Sequence, residues 1–137
     1  MILLDTHVLI WFVQGNERLG AGARRSIEQG LAQGEAMVSV ITFWEIAMLV
    51  RRGRVILTQA TRTWIDALCD RSGIRVIDVS RQIATAAGDL GEEIHGDPID
   101  RIIIATARHH DMPLLTADRA ILGYGATGHV ETIDAGR

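Results

Sequence analysis

The chain has 137 residues, 47% apolar and 23% charged, with a formal net charge of −3. That length suits one compact domain spanning residues 1–137, and the composition excludes a disordered chain. The acidic balance excludes bulk charge as a source of nucleic-acid affinity, although a local basic groove stays open. All 14 basic residues are arginine, which also excludes a lysine-bearing phosphate loop and Schiff-base chemistry.

Ile2-Leu3-Leu4 reads as a short buried parallel strand. Asp5-Thr6 then caps a helix through Val13, ended by Gly15. A second helix is expected from about Gly20 to Glu28, with Gly30 and Gly34 as stop signals. Ala36 to Val40 reads as a second strand. Thr42 to Arg52 reads as a helix stopped by Gly53, and Thr58 to Arg71 as another, with Trp64, Ile65 and Leu68 facing inward. Ile74 to Val79 is β-branched and alternating, a third strand. Ser80 caps a helix to about Leu90. Asp97-Pro98 is a cap followed by proline at the first helical position, and the helix it opens is apolar nearly all round from Ile102 to Ala107. Met112-Pro113 ends it, Leu114-Leu115 is a buried strand, and a last strand is expected at Val130 to Ile133. No element is assigned between Asp118 and Val130. Strands separated by helices imply right-handed crossovers and an α/β fold with a mostly parallel sheet covered on both faces.

The lone Cys69 can form no internal disulfide and suits a reducing compartment. No apolar run is long enough to span a membrane. The stretch Met1 to Val13 carries Asp5 and lacks a basic leader, so it reads as strand and helix, and the expected setting is cytoplasmic.

The acids decide the chemistry. Asp5 and Asp118 follow the first and fourth strands, and each has an ordinary explanation as a cap or turn residue. Asp97 caps its helix, and Asp100 in the first turn favours the helix dipole. Glu45 is the only charged residue between Ala36 and Val50, so it either faces solvent or is buried at a cost. In a parallel sheet Asp5, Glu45, Asp100 and Asp118 all fall at the carboxyl edge, where ligands bind. Four carboxylates within a few ångströms cannot all ionise without a cation. An oxygen-only set suits Mg²⁺ or Mn²⁺ rather than zinc. The remaining motifs are weaker. Gly123 to Gly128 matches a dinucleotide glycine pattern with no βαβ unit around it, and His109-His110 lacks the i, i+4 spacing of a zinc pair. Arg51, Arg52 and Arg54 form a basic cluster after the Glu45 helix and, with Arg101, are candidate phosphate contacts.

Four segments together resemble the PIN-domain nucleases, in particular VapC-type toxins of toxin–antitoxin pairs. They are Leu-Leu-Asp-Thr at 3–6, Trp-Glu-Ile-Ala at 44–47, Asp-Pro-Ile-Asp-Arg-Ile-Ile-Ile-Ala-Thr-Ala at 97–107 and Leu-Thr-Ala-Asp at 115–118. By this resemblance Asp5, Glu45, Asp100 and Asp118 match the family's metal-binding acids, with Asp97 as an accessory acid and Thr116 as a hydroxyl that orients them. The resemblance also implies a three-layer α/β/α sandwich, Mg²⁺- or Mn²⁺-dependent RNA cleavage, a homodimer and a cognate antitoxin. Two alternatives remain. One is a PIN-like module that binds RNA or protein without turnover. The other, a receiver-type phosphoacceptor, is disfavoured because it resembles a family that relies on a lysine.

Overall fold

A computed structural model describes residues 1–137. Five short strands, β1 (Ile2–Leu4), β2 (Ala36–Ser39), β3 (Arg75–Ile77), β4 (Leu114–Thr116) and β5 (Thr132–Asp134), form one sheet in the order β3-β2-β1-β4-β5. Every pairing is parallel. Parallel neighbours cannot be joined by tight turns, so helices carry the crossovers. They are α1 (Thr6–Gln14), α2 (Ala21–Gln33), α3 (Ile41–Arg51), α4 (Thr61–Arg71), α5 (Arg81–Asp89), α6 (Pro98–His109) and α7 (Arg119–Ala126).

Successive strand residues point to opposite faces. Leu4, Val38 and Leu115 pack with Val8, Ile27 and Ile46 of α1, α2 and α3. Their neighbours Leu3, Met37 and Leu114 pack with Ile103 of α6 and Ile121 of α7. Both faces are covered, which makes a three-layer α/β/α sandwich and explains why the central strands read as unbroken apolar runs. Helix α5 lies outside α6 and packs on it through Ile83, Ala87 and Ala105.

Three sequence expectations need correction. Helix α2 runs on to Gln33, so Gly30 is no stop. It is a buried helical position where a Cβ would stand 3.1 Å from that of Ala36, and glycine there lets the helix lie close to β2. Helix α7 occupies a stretch given no element, because Gly123 and Gly125 mask its helical character. At Gly125 an added Cβ would collide with Thr132 of β5, so this glycine too serves close packing. The strand read as Ile74 to Val79 is only β3, an edge strand with Arg75 and Val76 exposed.

From β1 the chain moves outward to β2 and β3, then returns to place β4 on the other side of β1. The crossover direction therefore reverses between β1 and β4. A crevice opens beyond their carboxyl ends at such a switch point. Asp5 directly follows β1, and Asp118 lies two residues past β4.

Candidate metal centre

Asp5 is 7% exposed and caps α1. Its Oδ1 accepts the Thr6 N–H at 2.8 Å and its Oδ2 accepts the Thr116 hydroxyl at 2.6 Å. Burial pushes its pKa above the ordinary carboxylate value, and these two hydrogen bonds oppose that shift. The Thr116 oxygen in turn accepts the Asp118 N–H at 3.1 Å. One hydroxyl thus ties the acid after β1 to the acid after β4.

Asp118 caps α7, its Oδ1 accepting the N–H groups of Ala120 and Ile121 at 2.8 and 3.1 Å. Asp97 caps α6 in the same way, its Oδ1 accepting from Ile99 and Asp100 at 2.9 and 3.1 Å. In both, one oxygen serves the helix and Oδ2 makes no hydrogen bond. The capping explanation and a ligand role therefore do not compete. Glu45 sits in the second turn of α3, half-buried between buried Ile46 and exposed Trp44. Burial raises its pKa, a hydrogen bond from the Thr6 side chain opposes this, and the charges of Asp5 and Asp97 add to the rise.

Asp100 lies in the first turn of α6, where the acids meet. Its pKa is pushed up to about 8, first by burial and then by the charges of Asp5, Asp97, Asp118 and Glu45. All five acids line one cleft of about 350 Å³, together with His7, Trp11 and Ala117.

His95 belongs to this cluster and was given no role from the sequence. Its Nε2 lies 3.2 Å from Asp100 Oδ2. Its Nδ1 accepts the Asp97 N–H at 3.3 Å, which puts the ring proton on Nε2 and makes the imidazole a donor to Asp100. Ligand atoms of His95, Asp100 and Asp118 lie within 4.8 Å of one another. His95 stands only two residues before Asp97, but its role depends on the loop folding back over the start of α6, which no local pattern encodes.

The candidate arginines divide. Arg52 and Arg54 line a groove adjoining the acidic cleft, and Arg51 does not. Arg101, expected as a phosphate contact, is a correction. Its Nε donates to Ala87 O at 3.0 Å, and its terminal nitrogens donate to Gly88, Leu90, Gly91 and Ile94 carbonyls. The guanidinium clamps the segment between α5 and α6, and its donors are already engaged.

The donor set fits a hard divalent cation. It is oxygen-rich, crowded with like charge and open to solvent on one side. A cation there would relieve the repulsion that raises Asp100. No helix of the chain is long and apolar enough to cross a membrane.

Comparison with known proteins places the family and the fold. The chain is 32% identical over 120 residues to Ribonuclease VapC22 of Mycobacterium tuberculosis, which covers 88% of each protein. Its fold resembles VapBC2 from Rickettsia felis bound to a promoter DNA fragment, at a TM-score of 0.71 and 18% identity over 98% of each chain. It also resembles a toxin–antitoxin complex from Klebsiella pneumoniae, at a TM-score of 0.62 and 22% identity over 98% of each chain. The PIN-domain profile matches residues 2–125, from β1 into α7 and across all the clustered acids, and the chain belongs to the PIN-domain family.

Proposed function

We propose that this chain, acting as a single domain over residues 1–137, is a Mg²⁺- or Mn²⁺-dependent endoribonuclease and the toxin of a type II toxin–antitoxin pair. The observation that carries the reading is the convergence of Asp5, Glu45, Asp100 and Asp118 on one cleft at the switch point, crowded enough to push Asp100 up to about 8. The ribonuclease name of the relative from Mycobacterium tuberculosis and the toxin–antitoxin complexes of similar fold support the substrate and the partner.

These four acids would hold the cation, with Asp97 in support. A bound cation supplies the Lewis acidity that activates water and stabilises charge on a phosphodiester. The chain's own groups keep the acids in place. Thr6 and Thr116 fix both oxygens of Asp5. His95 holds Oδ2 of Asp100. Such supporting hydrogen bonds fix ligand orientation.

An antitoxin would inhibit by placing an Arg or Lys in the cleft, where a cationic side chain relieves the same repulsion as a metal. A homodimer is proposed from the family resemblance, with exposed Val40 and Trp44 as apolar surface for it. Sedimentation as a 15.0 kDa monomer well above micromolar concentration would refute the dimer.

The test of the nuclease reading is cleavage of structured RNA by the purified chain with Mn²⁺, with EDTA, and with an Asp5→Asn control. Mapping RNA ends after induced expression would then locate the target. Cleavage that persists in EDTA removes the metal mechanism. Binding without cleavage by the wild type points to an inactive binding module.

A further inference from the structure

Four of the five clustered acids are held from close by in sequence. Asp5, Asp97 and Asp118 are fixed by N–H groups of the helices they cap, and Asp100 by His95. Glu45, in the second turn of α3, caps nothing. What reaches it comes from α1, where the Thr6 side chain hydrogen-bonds its carboxylate. The Thr6 hydroxyl also lies 3.0 Å from the hydroxyl of Thr42, which is on α3. Thr6 and Thr42 are both 0% exposed, so neither hydroxyl can turn to bulk water instead. Thr42 precedes Glu45 by three residues on one helix, which puts the two side chains on neighbouring positions of one face.

Counting protons gives the direction of the pair. A hydroxyl has one proton to donate, and an ionised carboxylate only accepts. The Thr6 proton is therefore committed to Glu45. Across the contact between the two threonines, Thr42 is then the donor and the Thr6 oxygen the acceptor. The Thr6 N–H donates at the same time to Asp5 Oδ1 at 2.8 Å. One residue thus meets two of the acids, and Thr42 decides which way its hydroxyl turns. Packing does not ask for this arrangement. The core that α1 and α3 share is otherwise apolar, with Val8, Ile46 and Leu49 in it. Valine has the shape of threonine, and replacing both members of a buried hydrogen-bonded pair by apolar groups of the same shape is close to neutral for stability. The two hydroxyls are explained by what they orient.

We propose that Thr42 is a positioning residue of the metal centre: by donating to Thr6 it aims the Thr6 hydroxyl at Glu45 and so fixes the Glu45 carboxylate beside Asp5. Asp118 N–H donates to Thr116, and Thr116 donates to Asp5, so a line of hydrogen bonds runs from the end of β4 past β1 to α3. The proposal rests on the metal-dependent reading. It adds that Glu45 is held in place through a residue that itself has no hydrogen bond to any acid.

The test is Mn²⁺ binding to the full metal-free chain, followed by the electron paramagnetic resonance signal of the free ion, with urea midpoints of the same proteins in EDTA. Thr42→Val keeps the shape and removes the donor. It should weaken Mn²⁺ binding about tenfold, the lower end of what supporting hydrogen bonds to metal ligands are worth. Thr42→Ser restores the hydroxyl and should stay within about threefold of wild type. If valine disturbs the fold, Thr42→Ala makes the same deletion without a second methyl facing Thr6 and should show the same loss. Thr106→Val is the control. Thr106 is equally buried, but its hydroxyl donates to the Ile102 carbonyl of its own helix at 2.7 Å, so its loss should leave Mn²⁺ affinity unchanged. In a Glu45→Ala background Thr42→Val should weaken Mn²⁺ binding less than about twofold, because its effect runs through Glu45. Equal losses with and without Glu45 overturn the proposal. So does a serine variant as weak as the valine one, or a Thr106→Val loss equal to that of Thr42→Val. Thr42→Val with wild-type affinity and a lowered urea midpoint makes Thr42 a packing residue only, and leaves the metal-dependent reading standing. Wild type that binds no Mn²⁺ removes that reading and the proposal together.

Discussion

The two ends of helix α6 open onto different cavities. At the amino end, five carboxylates and His7 line a cleft of about 350 Å³, and His95 bonds Asp100 beside it. At the carboxyl end the space is larger, about 610 Å³, and its lining mixes signs: Arg108 shares it with Asp89 and Glu93, beside His109. There Arg108 donates to the Tyr124 hydroxyl at 3.4 Å, and the Tyr124 ring stacks on His129 at 4.5 Å. A cation also suits a helix carboxyl end, so charges of both signs meet here. The amino end gathers acids. Its acids gain a little from the dipole, but Asp97 already takes two of the helix's free N–H groups, and Asp100 is left among like charges. Cavity size therefore does not mark the site. Charge that the chain itself does not balance does.

The largest effect should come from breaking the uncompensated end. Asp100→Asn should reduce RNA cleavage more than about 100-fold, since even residues that merely orient metal ligands are worth 10- to 100-fold. Glu93→Gln at the other end should change it less than about twofold, as for a surface position outside the chemistry. Melting curves sharpen the contrast. Added Mg²⁺ should raise the melting temperature of wild type and of Glu93→Gln alike and should barely move Asp100→Asn, because only an ion bound to the folded state stabilises it. A purely structural Asp100 predicts the reverse, with the mutant losing stability and metal shifting all three equally.

Thr116→Val comes next. It keeps shape while removing the hydroxyl that joins Asp5 to Asp118. The buried Asp5 carboxylate would lose a donor, at a cost of about 1–3 kcal/mol. Cleavage should fall about 10- to 100-fold. Thr127→Val near the other end of the molecule, whose hydroxyl donates to the Tyr124 carbonyl, should leave cleavage untouched.

A smaller effect is expected from pH on metal-free protein. The pKa of Asp100 is about 8 folded, against an ordinary value near 3.8, so between these limits the folded state binds more protons than the unfolded. Stability should therefore fall as pH rises from about 4 through about 8. Asp5 and Glu45, also raised, act in the same direction. Urea midpoints in EDTA from pH 5 to 9 should decline for wild type and flatten for Asp100→Asn. Midpoints that rise over this range would contradict the repulsion argument.

How much of this could be read from the sequence depends on how local each cause is. The central strands were legible because a parallel strand buried on both faces is an unbroken apolar run. Asp5, Asp97 and Asp118 were legible as caps because a cap is defined by the residues that follow it. Glu45 stood out as the one charge in an apolar stretch. Helix α7 was hidden because two glycines lower its helical character, and one of them, Gly125, answers to β5, a neighbour in space, and not to its own helix. His95 and Arg101 were hidden for a related reason. Both act on the loop between α5 and α6, whose path is set by tertiary packing. Arginine beside an acidic site suggests phosphate, and only the positions of five carbonyls show otherwise.

That reassignment of Arg101 yields the smallest and most discriminating prediction. Lysine is a point charge that can contact phosphate but cannot reproduce the planar fork of a guanidinium. If Arg101 touched RNA, Arg101→Lys would weaken binding slightly and leave the apo protein intact. With the guanidinium clamping the loop that carries His95 and Asp97, the same change should instead lower stability by about 1–2 kcal/mol, the scale of one or two lost charged hydrogen bonds. It should also weaken metal binding about threefold to tenfold, because that loop orients Asp100. Arg52→Lys makes the same chemical change on an exposed side chain that bonds no carbonyl, and should leave both stability and metal affinity unchanged. Isothermal titration with Mn²⁺ and urea melts on the two variants decide the matter: equal behaviour of Arg101→Lys and Arg52→Lys would return Arg101 to the surface of the RNA.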